Sequence, residues 1–176
     1  MAVYSVCETT NLRAVHYAKR IWDAVADFDV ENGMLGYVDG LAEGETHTYN
    51  FVKGTKAGKE VVLAHNPEWT EDTSRMTNQR KDKFFIPADT KFRAFTLAVG
   101  DEFALSKEGF AGEPEVGKFV SINGDGKLAV ADEAPADAVM VGKIMRKRQV
   151  GSTLVTSLRT YGYQRMMYEV KVETLA

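Results

Sequence analysis

Short segments in which apolar and polar residues alternate recur about every ten residues in this chain, with turn residues between them. Met34–Val38, Thr46–Val52 and Glu60–His65 show this pattern, and Asn32-Gly33 before the first of them is a strong hairpin-turn signal. Successive side chains of a strand point to opposite faces, so the alternation predicts half-buried strands. Many short strands joined by glycine-containing turns are typical of a β-barrel or β-sandwich.

The segment Lys91–Ser106, KFRAFTLAVGDEFALS, predicts two strands that meet at a Gly-Asp turn, residues 100–101. Counting every second residue places Phe95, Leu97 and Val99 on one face of the first strand. The glycine tolerates a positive φ, and the aspartate can hydrogen-bond its own backbone, so the dipeptide suits a sharp reversal. The segment therefore predicts a structural hairpin without catalytic chemistry.

The first 30 residues are the least regular part of the sequence. Met1–Asn11 is short and polar, and we expect an arm that is ordered only by what it touches. Leu12–Phe28 has apolar residues at helical spacing, which predicts a short helix, although alternation near its end leaves a strand open. We therefore divide the chain into an arm with a possible helix, residues 1–30, and a β-rich domain, residues 31–176.

The longest polar stretch of the sequence is Asn66–Lys83. A loop of this length inside a compact domain is often functional. Trp and Arg side chains frequently anchor protein interfaces, so Trp69, Arg75 and Arg80 make this loop a candidate contact arm. A surface loop with Trp69 folded back on the core is the structural alternative.

Two later segments, VGKFVSI at Val116–Ile122 and VMVGKIM at Val139–Met145, share a Val-Gly-Lys sequence. Each predicts a strand with an interior glycine, and together they suggest two equivalent edges of a small barrel. Asn-Gly-Asp-Gly at residues 123–126 predicts a hairpin turn into Lys127–Val130. Tyr168–Leu175 alternates and predicts the closing strand.

Charge is distributed unevenly along the chain. The net charge is −3, but residues 143–176 hold seven Lys and Arg against two Glu, a net +5, which leaves −8 for the first 142 residues. This polarity could orient the protein against a charged neighbour or against its own copies. Alternatively, the cations neutralise acidic strands of the same fold.

The same basic segment defines an alternative function, a nucleic-acid-binding barrel. Arg146-Lys147-Arg148 is followed by Tyr161, Tyr163, Arg165 and Tyr168, a mixture of cations and rings that single-strand-binding barrels use. Binding to a nucleic-acid backbone requires a broad basic face, and the overall acidity of the chain disfavours it.

Sequence patterns of catalysis and cofactor binding are scarce. His16, His47 and His65 lack metal-ligand spacing, and Cys7 alone builds neither a thiolate zinc site nor an internal disulfide. The sequence contains no phosphate-binding glycine loop, nucleophile elbow, secretion signal or apolar run of membrane-spanning length. We expect a non-enzymatic protein without cofactors, made in the cytoplasm.

The order of these features resembles the phage head decoration proteins, also called capsid cement proteins, which are encoded beside the major capsid protein. The residues that carry the resemblance cover most of the chain beyond Ala24. They are the turn Val30–Met34, the approach Phe84–Phe95 with Arg93, the segment Leu97–Ser106, and the VGKFV and VGKIM strands.

The resemblance implies a mainly β protein that binds the outer surface of an assembled capsid and stabilises it without catalysis. The implied fold is a small barrel or sandwich with an extended N-terminal arm, a long loop and a possible short helix. The implied partners are the major capsid protein and possible further copies of this chain. The candidate capsid contacts are Tyr4, Arg13, Trp69, Arg75 and Arg80.

Overall fold

The chain folds into a closed five-stranded barrel beside a seven-stranded sheet, in a computed structural model that describes residues 3–16, 19–68, 80–151, 153–155, 160–162 and 164–176. Strands are numbered in chain order. The barrel strands are β2 (Ile21–Val25), β3 (Leu35–Leu41), β4 (Thr48–Lys53), β5 (Val62–His65) and β6 (Phe92–Thr96). The remaining strands are β1 (Cys7–Asn11), β7 (Glu102–Ser106), β8 (Phe110–Ala111), β9 (Phe119–Ile122), β10 (Leu128–Ala131), β11 (Met140–Val150), β12 (Thr153–Val155), β13 (Thr160–Gly162) and β14 (Arg165–Leu175). The expected mainly β fold with a small barrel is confirmed.

The barrel closes in the order β2-β4-β3-β5-β6, and the sheet runs β1-β7-β14-β11-β9-β10-β8. The barrel interior combines small and large side chains. Ala24, Ala64 and Ala94 on three strands leave room for Phe51 and Phe92, whose rings meet edge to face with centroids 5.4 Å apart. Alternation of small and large residues is how a narrow barrel fills its interior without a cavity.

A second core joins the barrel to the sheet. Leu35, Leu63 and Phe95 lie on the outer surface of the barrel and pack in one cluster with sheet residues such as Phe103 and Leu105. All five are less than one tenth exposed. The two layers therefore share a buried apolar interface.

The two strands of Lys91–Ser106 do not form a hairpin, which corrects the sequence-based expectation. β6 pairs with β2 and β5 in the barrel, whereas β7 pairs with β1 and β14 in the sheet. The segment between them is the crossing from one layer to the other. Because the strand ends at Thr96, Leu97 is buried while Val99 is 48% exposed, so the two do not share one face.

The N-terminal segment is ordered by its contact with the sheet. β1 forms one edge of the sheet, antiparallel to β7, and Val6, Cys7 and Leu12 around it are buried. β1 and β7 are neighbours in the sheet, yet the whole barrel lies between them in the sequence. The barrel is therefore an insertion at one edge of the sheet, and residue 30, the expected domain boundary, falls inside the inserted segment.

The helix predicted at Leu12–Phe28 was wrong. In the described part of this segment the chain makes a turn at residues 13–16 and then enters β2. Leu12 is fully buried whereas Val15 is 40% exposed, so the apolar residues at helical spacing do not form one face. Pairing of β2 with both β4 and β6 to close the barrel overrides the weak local preference.

Two turn-level expectations also change. Asn32-Gly33 is a turn, with Gly33 at φ 87°, but Val30 bridges Ile86 while β3 pairs with β4 and β5, so no hairpin forms across it. The two Val-Gly-Lys sequences do not form equivalent edges of a barrel, because their glycines have different positions. Gly117 lies in a turn before β9, whereas Gly142 lies within β11.

Candidate functional site

Two of the described candidate contacts, Tyr4 and Arg80, are held within the fold. The ring of Tyr4 packs against Phe85 with centroids 4.8 Å apart. Arg80 forms a bidentate ion pair with the buried carboxylate of Asp82, through Nε–Oδ1 at 3.0 Å and Nη2–Oδ2 at 2.8 Å. The Tyr4 N–H donates to the Asp82 carbonyl oxygen at 2.9 Å, so Tyr4 and Arg80 meet at this residue.

Arg13 occupies a different place, beside the crossing between the layers. Its N–H donates to Asp101 Oδ1 at 3.1 Å, and its side chain, 59% exposed, lies with Nε 3.9 Å from the same carboxylate. Arg13 is therefore available at the surface. Trp69 and Arg75, the other two candidates, lie outside the described residues.

A long antiparallel pair of strands, β11 and β14, is the most extended feature that the sequence did not reveal. The two strands pair along their whole length, from Met140 opposite Leu175 to Val150 opposite Arg165. β12 pairs with β13 as a separate two-stranded sheet, with Thr153 opposite Gly162. Residues 152, 156–159 and 163 lie outside the described part.

The outer part of this strand pair has no further strand partner among the described residues. β9 flanks β11 only at Val141–Lys143, and β7 flanks β14 only at Met167–Lys171. Beyond these points Gln149 and Val150 lie opposite Met166 and Arg165, and β12 pairs with β13. We call the described residues 149–151, 153–155, 160–162 and 164–166 the ribbon.

Two ion pairs connect the base of the ribbon to other parts of the fold. Arg148 bonds Glu8, and Arg165 Nη2 lies 3.8 Å from Asp82 Oδ1. A third ion pair, between Arg146 and Glu169, joins β11 to β14. The hydrogen bond with Glu169 raises the pKa of Arg146. Much of the basic C-terminal segment thus neutralises carboxylates of its own fold, as the second interpretation of the charge asymmetry expected.

One end of the barrel presents an aromatic cluster that the sequence analysis missed. The rings of Trp22 and Tyr49 meet edge to face with centroids 4.7 Å apart, and Arg20 Cζ lies 3.7 Å above the Trp22 centroid. The indole N–H donates to Thr96 Oγ1 at 2.9 Å, which fixes the ring. Leu41, opposite Tyr49 in register, is 50% exposed. We call Arg20, Trp22, Leu41 and Tyr49 the barrel end.

The chain around the barrel end is strongly acidic. Residues 21–52 contain seven Asp and Glu and no Lys or Arg. Lysines from elsewhere pair with some of these carboxylates: Lys59 with Asp39 at 2.9 Å and Lys91 with Glu45 at 2.7 Å, and hydrogen bonds from these lysines lower the pKa of both acids. Four others are exposed and form no ion pair within the described residues: Asp23, Asp27, Asp29 and Glu43.

Two titratable groups, Cys7 and His65, have pKa values that are shifted mainly by burial. Burial, together with the charges of Glu68 and Glu8, raises the pKa of the Cys7 thiol, so it stays protonated. Burial lowers the pKa of His65, whose ring stacks edge to face on Phe95. Neither environment resembles an activated nucleophile with its base.

The described residues contain neither a metal-ligand cluster nor a membrane-spanning helix. No group of three or more His, Cys, Asp or Glu side chains there could hold a metal ion. No helix in the described part of the chain is long and apolar enough to cross a membrane.

Comparison with known proteins gives no relative. No protein-family model matches the chain, and neither a curated protein nor a solved structure shows significant similarity to it.

Proposed function

We propose that this protein is a non-enzymatic structural component of a phage virion, which binds the outer surface of the capsid and stabilises or decorates it. The observation that carries the proposal is the long antiparallel pair of β11 and β14, whose outer part has no third strand beside it among the described residues. A decoration protein needs a rigid body and an element that reaches a neighbouring subunit. The order of sequence features that resembles head decoration proteins supports the same function.

The ion pairs of Arg148 with Glu8 and of Arg165 with Asp82 hold the base of the ribbon before any partner binds, and this suits such a role for a physical reason. An element that is fixed before binding loses less conformational entropy on contact, so more of the interaction energy appears as affinity. Each copy needs to bury only a standard interface, about 800 Å² per partner, because many copies act together on one shell. On this proposal the protein is made in the host cytoplasm and ends on the outer capsid surface.

The alternative of a nucleic-acid-binding barrel has less support. A phosphate backbone is bound by uncompensated cations on one face. Arg146 and Arg148 instead pair with Glu169 and Glu8. Salt-dependent retention of the protein on single-stranded DNA would favour this alternative over capsid binding.

The experiment that tests the proposal is co-sedimentation of the purified protein with capsid shells assembled without it. We expect the protein to pellet with shells at a fixed ratio of copies to shell subunits, and to remain in the supernatant with unassembled capsid subunits. A folded protein that stays in the supernatant with intact shells would refute the proposal.

Arg13 is the candidate contact best suited to a matched test. Arg13→Glu retains the backbone N–H that bonds Asp101 but reverses an exposed charge, so we expect weaker shell binding and an intact fold. The control is Lys107→Ala, which removes another exposed cation with its own acidic partner, Glu113. Equal shell binding by both variants would remove Arg13 from the contact surface. Deleting Met1–Asn11 is a poor test, because it removes the edge strand β1.

A further inference from the structure

An open cleft of about 460 Å³ lies on the outer surface of the barrel, over the neighbouring strands β6, β2 and β4. Its size falls within the range of about 300–1,000 Å³ that small-molecule sites occupy. Polar side chains from these strands and from the segments beside them line it, among them Asp23, Glu45, His47, Asn66, Lys91 and Arg93. None of these residues is a candidate capsid contact, so the cleft is a separate candidate site.

Two charges of opposite sign lie side by side in the cleft. Asp23 and Arg93 are directly opposite each other in the antiparallel pairing of β2 with β6, which places their Cβ atoms about 4.5–5.5 Å apart. Their neighbours Ala24 and Ala94 fill the barrel interior, so both charged side chains point outward. Both are exposed, and neither side chain forms an ion pair or hydrogen bond with another described residue. The cleft thus offers a carboxylate and a guanidinium to a ligand.

Other groups of the cleft are held in place. Glu45 Oε1 lies 2.7 Å from Lys91 Nζ, and the Thr48 hydroxyl donates to Glu45 Oε2 at 3.3 Å. The Asn32 side chain fixes the backbone of Asn66, because it accepts from the Asn66 N–H at 2.9 Å and donates to the carbonyl oxygen at 2.8 Å. The Asn66 side-chain amide has no hydrogen bond to another described residue. It adds a neutral donor and acceptor to the cleft.

The charges that line the cleft cancel. Asp23 and Glu45 carry two negative charges, and Lys91 and Arg93 carry two positive charges. A strongly charged ligand would meet like charge as well as opposite charge, which disfavours it. A hydroxyl group both donates and accepts, so adjacent hydroxyls can donate to a carboxylate and accept from a guanidinium at the same time. Hydrogen bonds to such charged groups are about twice as strong as those between neutral groups.

We infer that this cleft binds a neutral saccharide, with adjacent hydroxyl groups bridging Asp23 and Arg93 and the Asn66 amide adding a further polar contact. The inference concerns a small ligand on the barrel, and it stands or falls separately from capsid binding.

The test is a titration of the whole isotope-labelled chain with disaccharides, followed by proton–nitrogen NMR spectra. Maltose, cellobiose and lactose are each added to about 20 mM, so that a Kd of about 1 mM is measurable. We expect saturable shifts with at least one of them, at the amides of Asp23, Thr48, Arg93 and their neighbours. Because the ligand is neutral, raising NaCl from about 0.05 to about 0.5 M should change Kd by less than about twofold.

Asp23→Ala and Arg93→Ala remove the two sides of the proposed bridge. Each should raise Kd at least about tenfold, the effect of losing a hydrogen bond to a charged group. Both side chains are exposed, so both variants should keep the circular dichroism spectrum of the wild type. Asp27→Ala removes another exposed carboxylate that has no ion pair within the described residues and does not line the cleft. It is the matched control and should bind like the wild type.

Glycine, a zwitterion that carries both charges, tests the ionic alternative. Saturable shifts at the cleft with glycine and with none of the disaccharides would overturn the inference. It would equally be overturned by an absence of saturable shifts with every disaccharide, by shifts confined to residues outside the cleft, or by equal Kd values for Asp23→Ala and the wild type.

Discussion

Asp101 joins the two layers, and its replacement is the sharpest test of how the fold is held together. The carboxylate is fully buried and accepts two backbone hydrogen bonds, from Ala98 N–H at 2.8 Å and from Arg13 N–H at 3.1 Å. The backbone around it is bonded to β14, because Val172 exchanges hydrogen bonds with Gly100 and Asp101 at 2.8 and 2.9 Å. One side chain therefore fixes both connections between barrel and sheet.

The expected loss follows from these bonds. In Asp101→Ala the buried Ala98 N–H loses its acceptor, at about 2 kcal/mol, and the less buried Arg13 N–H loses about 1 kcal/mol. The 3.9 Å contact with the Arg13 side chain adds little, because that side chain is mostly solvated. We expect a destabilisation of about 3 kcal/mol, which for a chain of this size lowers Tm by about 6–12 °C.

Urea unfolding followed by circular dichroism measures this loss. Asp101→Asn keeps one acceptor oxygen and should lose about half as much as Asp101→Ala. Asp125→Ala is the control. Asp125 is 77% exposed in a turn, and its one ion pair with the described residues is the 3.5 Å contact with Lys53. This variant should change stability by less than about 0.5 kcal/mol. A loss for Asp101→Ala as small as the control's would refute the role assigned to the buried carboxylate.

Two further predictions concern pH and packing. Because burial lowers the pKa of His65 in the folded protein below its ordinary 6.5, folding excludes a proton there, and stability should fall as pH drops below 6.5 towards the folded pKa. His65→Gln should flatten this part of a stability–pH curve relative to the wild type; identical slopes for the two proteins would contradict the assignment. Gly142→Ala should cost about 1–3 kcal/mol in urea unfolding, because a Cβ there would lie 2.9 Å from Val170 Cγ1. Gly124→Ala, with open space around it, should be nearly neutral, and equal losses would argue against close packing at Gly142.

Sequence alternation identified individual strands well but not their partners. The segments at Thr46–Val52, Glu60–His65 and Tyr168–Leu175 are strands close to the expected bounds, because alternation reports burial of one face within a single strand. In Lys91–Ser106, alternation located two strands but did not identify the strands with which they pair. Whether β6 and β7 pair with each other or enter different layers depends on residues far away in sequence, such as those of β1 and β14.

The candidate surfaces were predicted less well for the same reason. The sequence of Met1–Asn11, which includes Tyr4, predicted an arm ordered only by what it touches, but not what it touches. Pairing with β7 shows that this segment contributes an edge strand of the sheet. Trp22 looked like part of a helix, and its contact with Tyr49 depends on the parallel pairing of β2 with β4. The basic segment was visible in the sequence, but the carboxylates that neutralise it were not.

The insertion of the barrel between β1 and β7 has a consequence for the order of folding. Asn11 and Glu102, side by side in the sheet, are 91 residues apart in sequence, so the unfolded chain must close a long loop before this edge forms. If the barrel folds first, only about 14 linker residues remain flexible, which lowers the entropic cost of closure by about 1.7 kcal/mol. During synthesis β1 is made before the barrel strands, so it cannot pair with β7 until the whole barrel sequence has been made. A substitution that destabilises the barrel should therefore also increase fraying of β1, although β1 belongs to the sheet and not to the barrel.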